Sequence, residues 1–255
     1  QTAYPAPVER DFIAKNVSFA SGETLPEVKI HYRTIGQPRK DADGVVRNGI
    51  LILHGTGGTG TQFLGEGFAS RLYGKGQLYD AERYFMILPD NIGHGQSSKP
   101  SDGLRMKFPH YGYTDMVKLQ YRLVTEGLGL THLQLVTGTS MGGMHTWVWG
   151  YLYPDFMDAL VPLASNPVEI AGRNRLWRKM LIDAITTDPT WKGGNYTEQP
   201  RNLASALGFL MIATSVPLQW QKQMPTAKQA DTWLADQIVS RTKSSDANDM
   251  LYYFR

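Results

Sequence analysis

The chain has 255 residues, with 26 Lys and Arg against 23 Asp and Glu, which gives a formal net charge of +3. Apolar residues make up 42% and charged residues 19%, proportions that are typical of a globular domain and exclude a disordered or fibrous chain. The sequence contains no cysteine, which excludes disulfides, zinc sites built on thiolates and cysteine nucleophiles.

Three further classes of function find no support in the composition. No apolar run approaches the roughly 18 residues of a membrane-spanning helix, so no contact with a membrane is expected. Lys and Arg form no block of the kind that binds nucleic acid, so no nucleic-acid partner is expected. His, Asp and Glu show no ligand spacing, so no metal site is predicted.

Short apolar runs alternate with longer mixed segments in the first part of the chain. Val28–Tyr32 alternates like an early strand with one solvated face. Continuous apolar runs follow at 49–53, 84–88, 133–136 and 159–163. Short strands buried on both faces and separated by helical segments are typical of a parallel sheet covered by helices. The predicted fold class is therefore α/β, with residues 1–165 as its core.

The pattern changes at about residue 166, after which we predict helices separated by prolines and no strand. The predicted helices are 174–187, 202–214, 226–241 and 247–254. Residues 166–255 are thus interpreted as a helical subdomain. It either has its own core or forms a lid over the ends of the strands, and the two interpretations are compatible.

The strongest motif is Gly138–Gly143, which reads G-T-S-M-G-G and matches G-x-S-x-G. It lies between the strand at 133–137 and a helical run that starts at Met144. A serine in this context sits on a sharp strand-to-helix turn, the nucleophile elbow, which exposes its hydroxyl above the sheet. We therefore predict Ser140 as a nucleophile and the Met141 amide as one donor to an oxyanion.

A glycine-rich loop, His54–Gly60, directly follows the strand at 49–53. In this architecture the corresponding loop supplies the second oxyanion donor, for which the Thr56 amide is our first candidate and the Gly57 amide the next. A plain turn and a phosphate-binding loop are the alternatives. A P-loop is excluded because no Gly-Lys-[Ser/Thr] follows.

Two histidines near these motifs are interpreted as structural. The segment Pro89–Pro100 suits a tight loop that hydrogen-bonds its own backbone, so its His94 is expected to belong to the scaffold rather than to act as a base. His145 lies five residues beyond Ser140 on the following helix and is expected to pack in the interior.

These three motifs, in this order, resemble the α/β-hydrolase superfamily, and more closely its homoserine O-acetyltransferase-like branch. The likeness begins at about residue 20 and is also carried by segments 81–85, 113–117, 184–191 and 246–252. The resemblance implies an α/β-hydrolase sheet with a helical lid, and acyl transfer through an acyl-enzyme on Ser140. It implies no cofactor, with acetyl-CoA as co-substrate if the protein is an acyltransferase.

The chain departs from the family pattern in its catalytic triad. The family places an Asp and then a His in the final third of the chain, whereas no histidine follows His145 here. We therefore expect the fold to be incomplete at the C-terminus and the catalytic Asp and His to lie outside this chain. A C-terminal segment or a second chain would supply both residues and add strands beside the run at 159–163.

The second departure concerns the substrate. Homoserine acetyltransferases place an arginine on a lid helix to hold the amino-acid carboxylate, but no Arg lies between Arg201 and Arg241. A bidentate carboxylate clamp needs the guanidinium fork, so homoserine is disfavoured as acceptor. A less polar ester or alcohol fits the apolar stretch at 202–212 better.

Hydrolysis of a small ester is therefore the predicted function. An O-acyltransferase that moves an acetyl-type group from acyl-CoA to a small alcohol is one alternative, and a non-catalytic small-molecule binding protein of the same fold is another. A homodimer is compatible with each of them. The first residue, Gln1, together with the resemblance to exported relatives, favours a periplasmic or secreted protein, with the cytoplasm as the alternative.

Overall fold

The computed structural model describes residues 4–255, so Gln1 lies outside the described residues. A six-stranded sheet has the spatial order β1-β2-β4-β3-β5-β6. Its strands are β1 (Val8–Ser18), β2 (Thr24–Ile35), β3 (Gly49–Leu53), β4 (Phe85–Pro89), β5 (Leu133–Thr139) and β6 (Met157–Leu163). The α/β class and the predicted central strands are confirmed, with boundaries that differ by a few residues at most.

The neighbouring strands β4, β3, β5 and β6 are parallel to one another. The pairs β1–β2 and β2–β4 are antiparallel. β1 pairs with β2 along its whole length, from Val8 opposite Thr34 to Ser18 opposite Thr24, and β2 pairs antiparallel with β4. β1 was not predicted, because charged side chains interrupt its apolar alternation and most of its residues are exposed. The ladder to β2 therefore stabilises it more than burial of its side chains does.

β3 and β4 are buried at every position, which accounts for their continuous apolar sequences. Leu53 at the end of β3 pairs with Gly138 in β5, and Leu51 pairs with Ile87 in β4. The carboxyl ends of these parallel strands therefore meet at one edge of the sheet, where the loops that follow them converge.

The helices are α1 (Ala69–Leu72), α2 (Tyr113–Arg122), α3 (Met141–Leu152), α4 (Gly172–Thr186), α5 (Leu203–Ala213), α6 (Pro217–Gln223), α7 (Ala227–Ser244) and α8 (Ala247–Phe254). The described chain divides into two compact units. One comprises the described residues up to Lys99 with Pro109–Pro167, and the other comprises Pro100–Phe108 with Val168–Arg255. The segment Pro100–Phe108 thus groups with the helical residues, although the sequence had placed it in the core.

The helical unit has its own apolar core, formed by α4, α5 and α8 around buried side chains such as Leu181, Leu203 and Leu251. In contrast, no residue of α6 or α7 is buried, and the rings of Trp220 and Trp233 contact each other edge to face between these two helices. Among the described residues, no single helix is long and apolar enough to cross a membrane. α5 and α6 meet that criterion only as a pair, bent by 107°.

Candidate active site

Ser140 lies between β5 and α3 in a backbone conformation that L-residues rarely adopt. Its φ is 54° and its ψ is −114°, and the residue is exposed. Strained conformations of this kind cost about 1–3 kcal/mol and persist only when the surrounding structure fixes them. The strain at the exposed Ser140 is therefore an observation that points to function.

Two glycines allow the backbone around Ser140 to approach β3 closely. A Cβ on Gly142 would collide with the carbonyl group of Leu53, and a Cβ on Gly138 would lie 2.6 Å from the same carbonyl oxygen. Neither contact could be relieved by a side-chain movement, because the obstructing atoms belong to the backbone. The two glycines of the G-x-S-x-G motif are thus required by packing.

The amide groups beside Ser140 divide into those already used and those available to a ligand. Ser140 donates its own N–H to the carbonyl oxygen of Leu163 at 2.9 Å, and its carbonyl oxygen accepts from Met144 N–H at 2.9 Å. Met141 is the first residue of α3, where N–H groups have no partner within the helix and the helix dipole favours negative charge. The Met141 amide, rather than that of Ser140, is therefore the one available beside the turn, and its role as an oxyanion donor stays a prediction.

The loop that follows β3 lies next to Ser140, since a Cβ on Gly55 would be 3.5 Å from the Ser140 Cβ. Within this loop Gly55 N–H donates to the Gln62 side chain at 3.0 Å, and Gly58 N–H donates to the Gly55 carbonyl oxygen at 3.0 Å. Among residues 4–255, no acceptor bonds the amides of Thr56 or Gly57. These two amides, the sequence candidates for the second donor, are thus the ones that the loop leaves available. Their role in catalysis stays a prediction.

A buried polar network holds this loop and α3 together beneath the sheet edge. His54 Nε2 lies 3.0 Å from both the backbone nitrogen and the side-chain Nδ2 of Asn91, and Gln120 Nε2 donates to Asn91 Oδ1 at 2.5 Å. The same Gln120 nitrogen lies 3.0 Å from His145 Nδ1, and Trp149 Nε1–H donates to Gln120 Oε1 at 2.8 Å. The network therefore joins residues that follow β3 and β4 to residues on α2 and α3.

The donors in this network determine the tautomer of His54, and burial keeps both of its histidines neutral. Because Asn91 donates to Nε2 of His54, the ring carries its proton on Nδ1 and donates it to the Gly55 carbonyl oxygen at 2.8 Å. Burial lowers the pKa of His54, and burial together with the nearby His54 lowers the pKa of His145 to about 3. Both rings are therefore neutral at physiological pH.

The loop after β4 is organised by the buried carboxylate of Asp90. It accepts from Arg33 Nη1 at 2.9 Å, from Gly60 N–H at 2.8 Å and from Gln96 N–H at 3.0 Å. His94 is buried in this loop with Nδ1 3.1 Å from the Ile92 carbonyl oxygen, and burial lowers its pKa well below the ordinary value. These contacts fit the scaffold role that the sequence predicted for Pro89–Pro100.

Among residues 4–255, no histidine forms a hydrogen bond with Ser140 Oγ. His54, His94 and His145 make the buried contacts given above. The remaining histidines lie beside carboxylates elsewhere in the same unit: His31 next to Asp11, His110 next to Glu23 and His132 next to Asp158. Of the Ser, Asp and His expected for a catalytic triad, the described residues thus offer only Ser140 as a candidate.

Several residues around Ser140 were not singled out from the sequence. Gln62 and Thr139 form a side-chain contact of 2.9 Å between the 54–60 loop and the Ser140 turn, and Asn91 and Gln120 belong to the buried network. Gln62 and Gln120 lie outside every motif, and nothing local marks Thr139 or Asn91 within theirs, because the contacts that matter join residues far apart in the sequence. Within the described range, no group of three or more His, Asp and Glu could hold a metal ion.

Comparison with known proteins agrees with this geometry. Residues 48–216 match the family model described as "alpha/beta hydrolase fold", a range that contains β3–β6, the Ser140 turn and the loop before it. The chain belongs to this family. Within the α/β hydrolases it falls in the homoserine O-acetyltransferase-like branch, as its curated relatives show.

One such relative, a homoserine O-acetyltransferase of Carboxydothermus hydrogenoformans, is 33% identical over 93% of this chain. The chain spans 65% of that relative's length, less than two thirds. The crystal structure of homoserine O-acetyltransferase from Bacillus anthracis superposes with a TM-score of 0.78 at 25% identity, over 98% of this chain and 75% of that one. The acetyl esterase MekB gives 0.81 at 25% identity, over 96% and 71% of the two chains.

Proposed function

We propose that this α/β hydrolase transfers acyl groups through an acyl-enzyme on Ser140, with hydrolysis of a small ester as its reaction. The observation that carries the proposal is the strained, exposed conformation of Ser140 at the start of α3, next to a loop with two unused amides. A protein that only binds a ligand needs neither the strain nor the paired donors. The similarity to an acetyl esterase and to homoserine O-acetyltransferases supports the same chemistry.

In the proposed reaction, Ser140 Oγ attacks the carbonyl carbon of the ester while a base takes the hydroxyl proton. The carbonyl oxygen becomes an oxyanion, which the amides of Met141 and of Thr56 or Gly57 stabilise by hydrogen bonds. The ester C–O bond then breaks and the leaving alcohol takes up the proton, which forms the acyl-enzyme. In the second half, water attacks the carbonyl carbon of the acyl-enzyme, the bond to Ser140 Oγ breaks, the carboxylic acid leaves and the serine oxygen regains its proton.

The proposal requires an imidazole base that the described residues do not place at Ser140. We propose that an Asp and a His come from a C-terminal segment or a second chain that adds strands next to β6. β6 is the last strand of the described sheet, and its side chains Val161 and Leu163 are more than one third exposed, which is unusual for a parallel strand. The greater length of the curated relatives supports this proposal.

One observation favours an ester or alcohol of low polarity as the substrate. Between Arg201 and Arg241 the chain contains no arginine for a bidentate carboxylate clamp, and α5 consists largely of apolar residues. Transfer of an acetyl-type group from acetyl-CoA to a small alcohol is the second candidate. It is favoured by the curated relatives named for acetyl transfer, and it uses the same acyl-enzyme.

Labelling with a fluorophosphonate probe tests the proposal, because such probes react with an activated serine. With added imidazole as the missing base, we expect one labelled peptide, which contains Ser140, and no labelling of Ser140→Ala. A labelled protein that releases acetate from a p-nitrophenyl acetate substrate is a hydrolase. If added alcohol captures the acyl group faster than water does, the protein is an acyltransferase. Absence of labelling and of turnover, with and without added imidazole, would favour the non-catalytic binding protein.

A further inference from the structure

The side chain of Gln62 contacts both pieces of backbone that flank the proposed oxyanion site. Its Oε1 accepts from Gly55 N–H at 3.0 Å, and its Nε2 donates to Thr139 Oγ1 at 2.9 Å. Gly55 precedes the candidate donor Thr56, and Thr139 precedes Ser140. One amide group therefore links the loop after β3 to the Ser140 turn.

The backbone that carries Gln62 is itself held in place. Gln62 lies in a short 3-10 helix, Gly60–Leu64, whose Phe63 is buried in the core of the sheet unit. Gly60 donates its N–H to the buried Asp90 carboxylate at 2.8 Å and packs against β4, where a Cβ would lie 2.5 Å from the Leu88 carbonyl oxygen. Gln62 therefore reaches the loop and the turn from a fixed position.

The contact at Gly55 determines the direction of the next amide. The Gly55 carbonyl oxygen accepts from His54 Nδ1–H and from Gly58 N–H, while the Gly55 N–H is bonded to Gln62. In a trans peptide the carbonyl oxygen and the following N–H point in opposite directions, so a fixed Gly55 carbonyl fixes where the Thr56 N–H points. With both its N–H and its carbonyl held, Gly55 has little freedom to rotate the Thr56 amide.

We propose that Gln62 is a positioning residue of the oxyanion site, which aligns the Thr56 amide with Ser140 by bridging Gly55 to Thr139. The inference rests on the proposed function and deepens it. Gln62 is not a catalytic residue, because both of its polar atoms contact groups of the chain itself. Its effect is to keep two separate segments at the spacing that the transition state requires.

Gly58 leaves room for the bridging amide. A Cβ at position 58 would lie 2.9 Å from Gln62 Oε1 and 3.0 Å from the Gly55 carbonyl oxygen. Real Cβ atoms do not come within 3.0 Å of an atom from elsewhere in the chain, so a side chain at position 58 would displace the Gln62 amide from its present place. Glycine at position 58 therefore allows the Gln62 amide to lie where it bonds Gly55 and Thr139.

Gln62→Met tests the proposal, since methionine keeps the length of the side chain and removes both hydrogen bonds. We expect the rate of Ser140 acylation and kcat to fall by about 10- to 100-fold, with KM changed by less than about twofold, because a misplaced donor weakens the transition state more than the ground state. Gln77→Met is the matched control. Gln77 also bridges two backbone groups of the same unit, Gly74 N–H and the Ser70 carbonyl, away from Ser140.

Thr139 provides the second arm of the experiment. Thr139→Ser keeps the hydroxyl that Gln62 bonds, so we expect near wild-type rates, whereas Thr139→Val removes the acceptor and should lower kcat. If Gln62 acts through Thr139, the double variant Gln62→Met/Thr139→Val loses much less than the product of the two single losses. Independent, multiplicative losses would contradict the bridge.

Amide hydrogen exchange measured by NMR provides a readout that does not depend on activity. In Gln62→Met we expect the Gly55 amide to exchange about tenfold faster or more, whereas Gln77→Met accelerates Gly74 and leaves Gly55 unchanged. Unaltered exchange at Gly55, or unaltered acylation in an active protein, overturns the proposal. If the wild-type chain shows no acylation even with added imidazole, the proposed function fails, and exchange at Gly55 alone decides whether Gln62 holds the loop.

Discussion

The amide hydrogen of Ser140 is bonded to the carbonyl oxygen of Leu163, the last residue of β6, at 2.9 Å. This bond joins the strained turn to the strand next to β5, and it removes the Ser140 amide from the set of groups that could bind an oxyanion. The backbone of the proposed nucleophile is thus held by the edge strand of the described sheet. Any strand that pairs with β6 would therefore be coupled to the Ser140 turn through Leu163.

Two substitutions at Ser140 separate the contribution of its hydroxyl to catalysis from the free energy that its strained backbone costs the fold. We expect Ser140→Ala to lower ester hydrolysis by about three orders of magnitude or more, because the covalent route is closed. Ser140→Gly should be equally inactive but more stable than Ser140→Ala by about 1 kcal/mol, since glycine adopts positive φ without strain. Urea denaturation of the two variants measures the difference. Retention of more than about a tenth of wild-type activity in either variant would exclude Ser140 as the nucleophile.

Added imidazole tests whether a base is missing at Ser140. If no histidine of the chain serves Ser140, imidazole in solution should increase acylation of the exposed hydroxyl in proportion to its concentration. The increase should be absent in Ser140→Ala. A wild-type protein that turns over rapidly without imidazole, and gains nothing from it, would show that a base is already present and would contradict the expectation that the Asp and His lie elsewhere.

The buried pair of Arg33 and Asp90 is expected to be important for stability. Both side chains are at most 4% exposed, and Asp90 also holds the Gly60 amide at the end of the 54–60 loop. Asp90→Asn should lower the free energy of unfolding by about 3 kcal/mol, because removing one partner leaves a buried charge poorly compensated. Glu9→Gln is the control on the same guanidinium. Glu9 is half exposed, so its loss should cost less than about 1 kcal/mol. Equal losses in a denaturation experiment would contradict this assignment.

His145 should make the protein less stable in mild acid. Its pKa in the fold is about 3, whereas the unfolded chain takes up the proton near pH 6.5. Between these values the unfolded state binds more protons, so stability falls as the pH decreases from about 6.5, by about 1 kcal/mol per pH unit for this residue. His145→Asn keeps an acceptor for Gln120 and cannot titrate in this range. Its free energy of unfolding, measured from pH 7 to pH 4, should therefore change with a smaller slope than that of the wild type.

The sequence predicted the central strands and the G-x-S-x-G turn because both depend on local patterns. Continuous apolar runs indicate strands buried on both faces, and the glycines flanking Ser140 are needed wherever a strand and a helix meet at so sharp a turn. β1 could not be predicted in this way, because its stability comes from pairing with β2. Gln62, Asn91 and Gln120 were missed for the same reason, since each acts on a residue that only the folded chain brings near.

The weak packing of α7 has a consequence for the order in which parts of the protein unfold. No residue of this 18-residue helix is fully buried, and side chains such as Trp233 and Ile238 are only partly covered, so tertiary packing protects its main chain less than that of α4, α5 or α8. Its capping box at Thr226 and Gln229 contributes at most a few kcal/mol to its persistence. Proteases should therefore cut first within α6 and α7, well before the sheet unit that carries Ser140 unfolds.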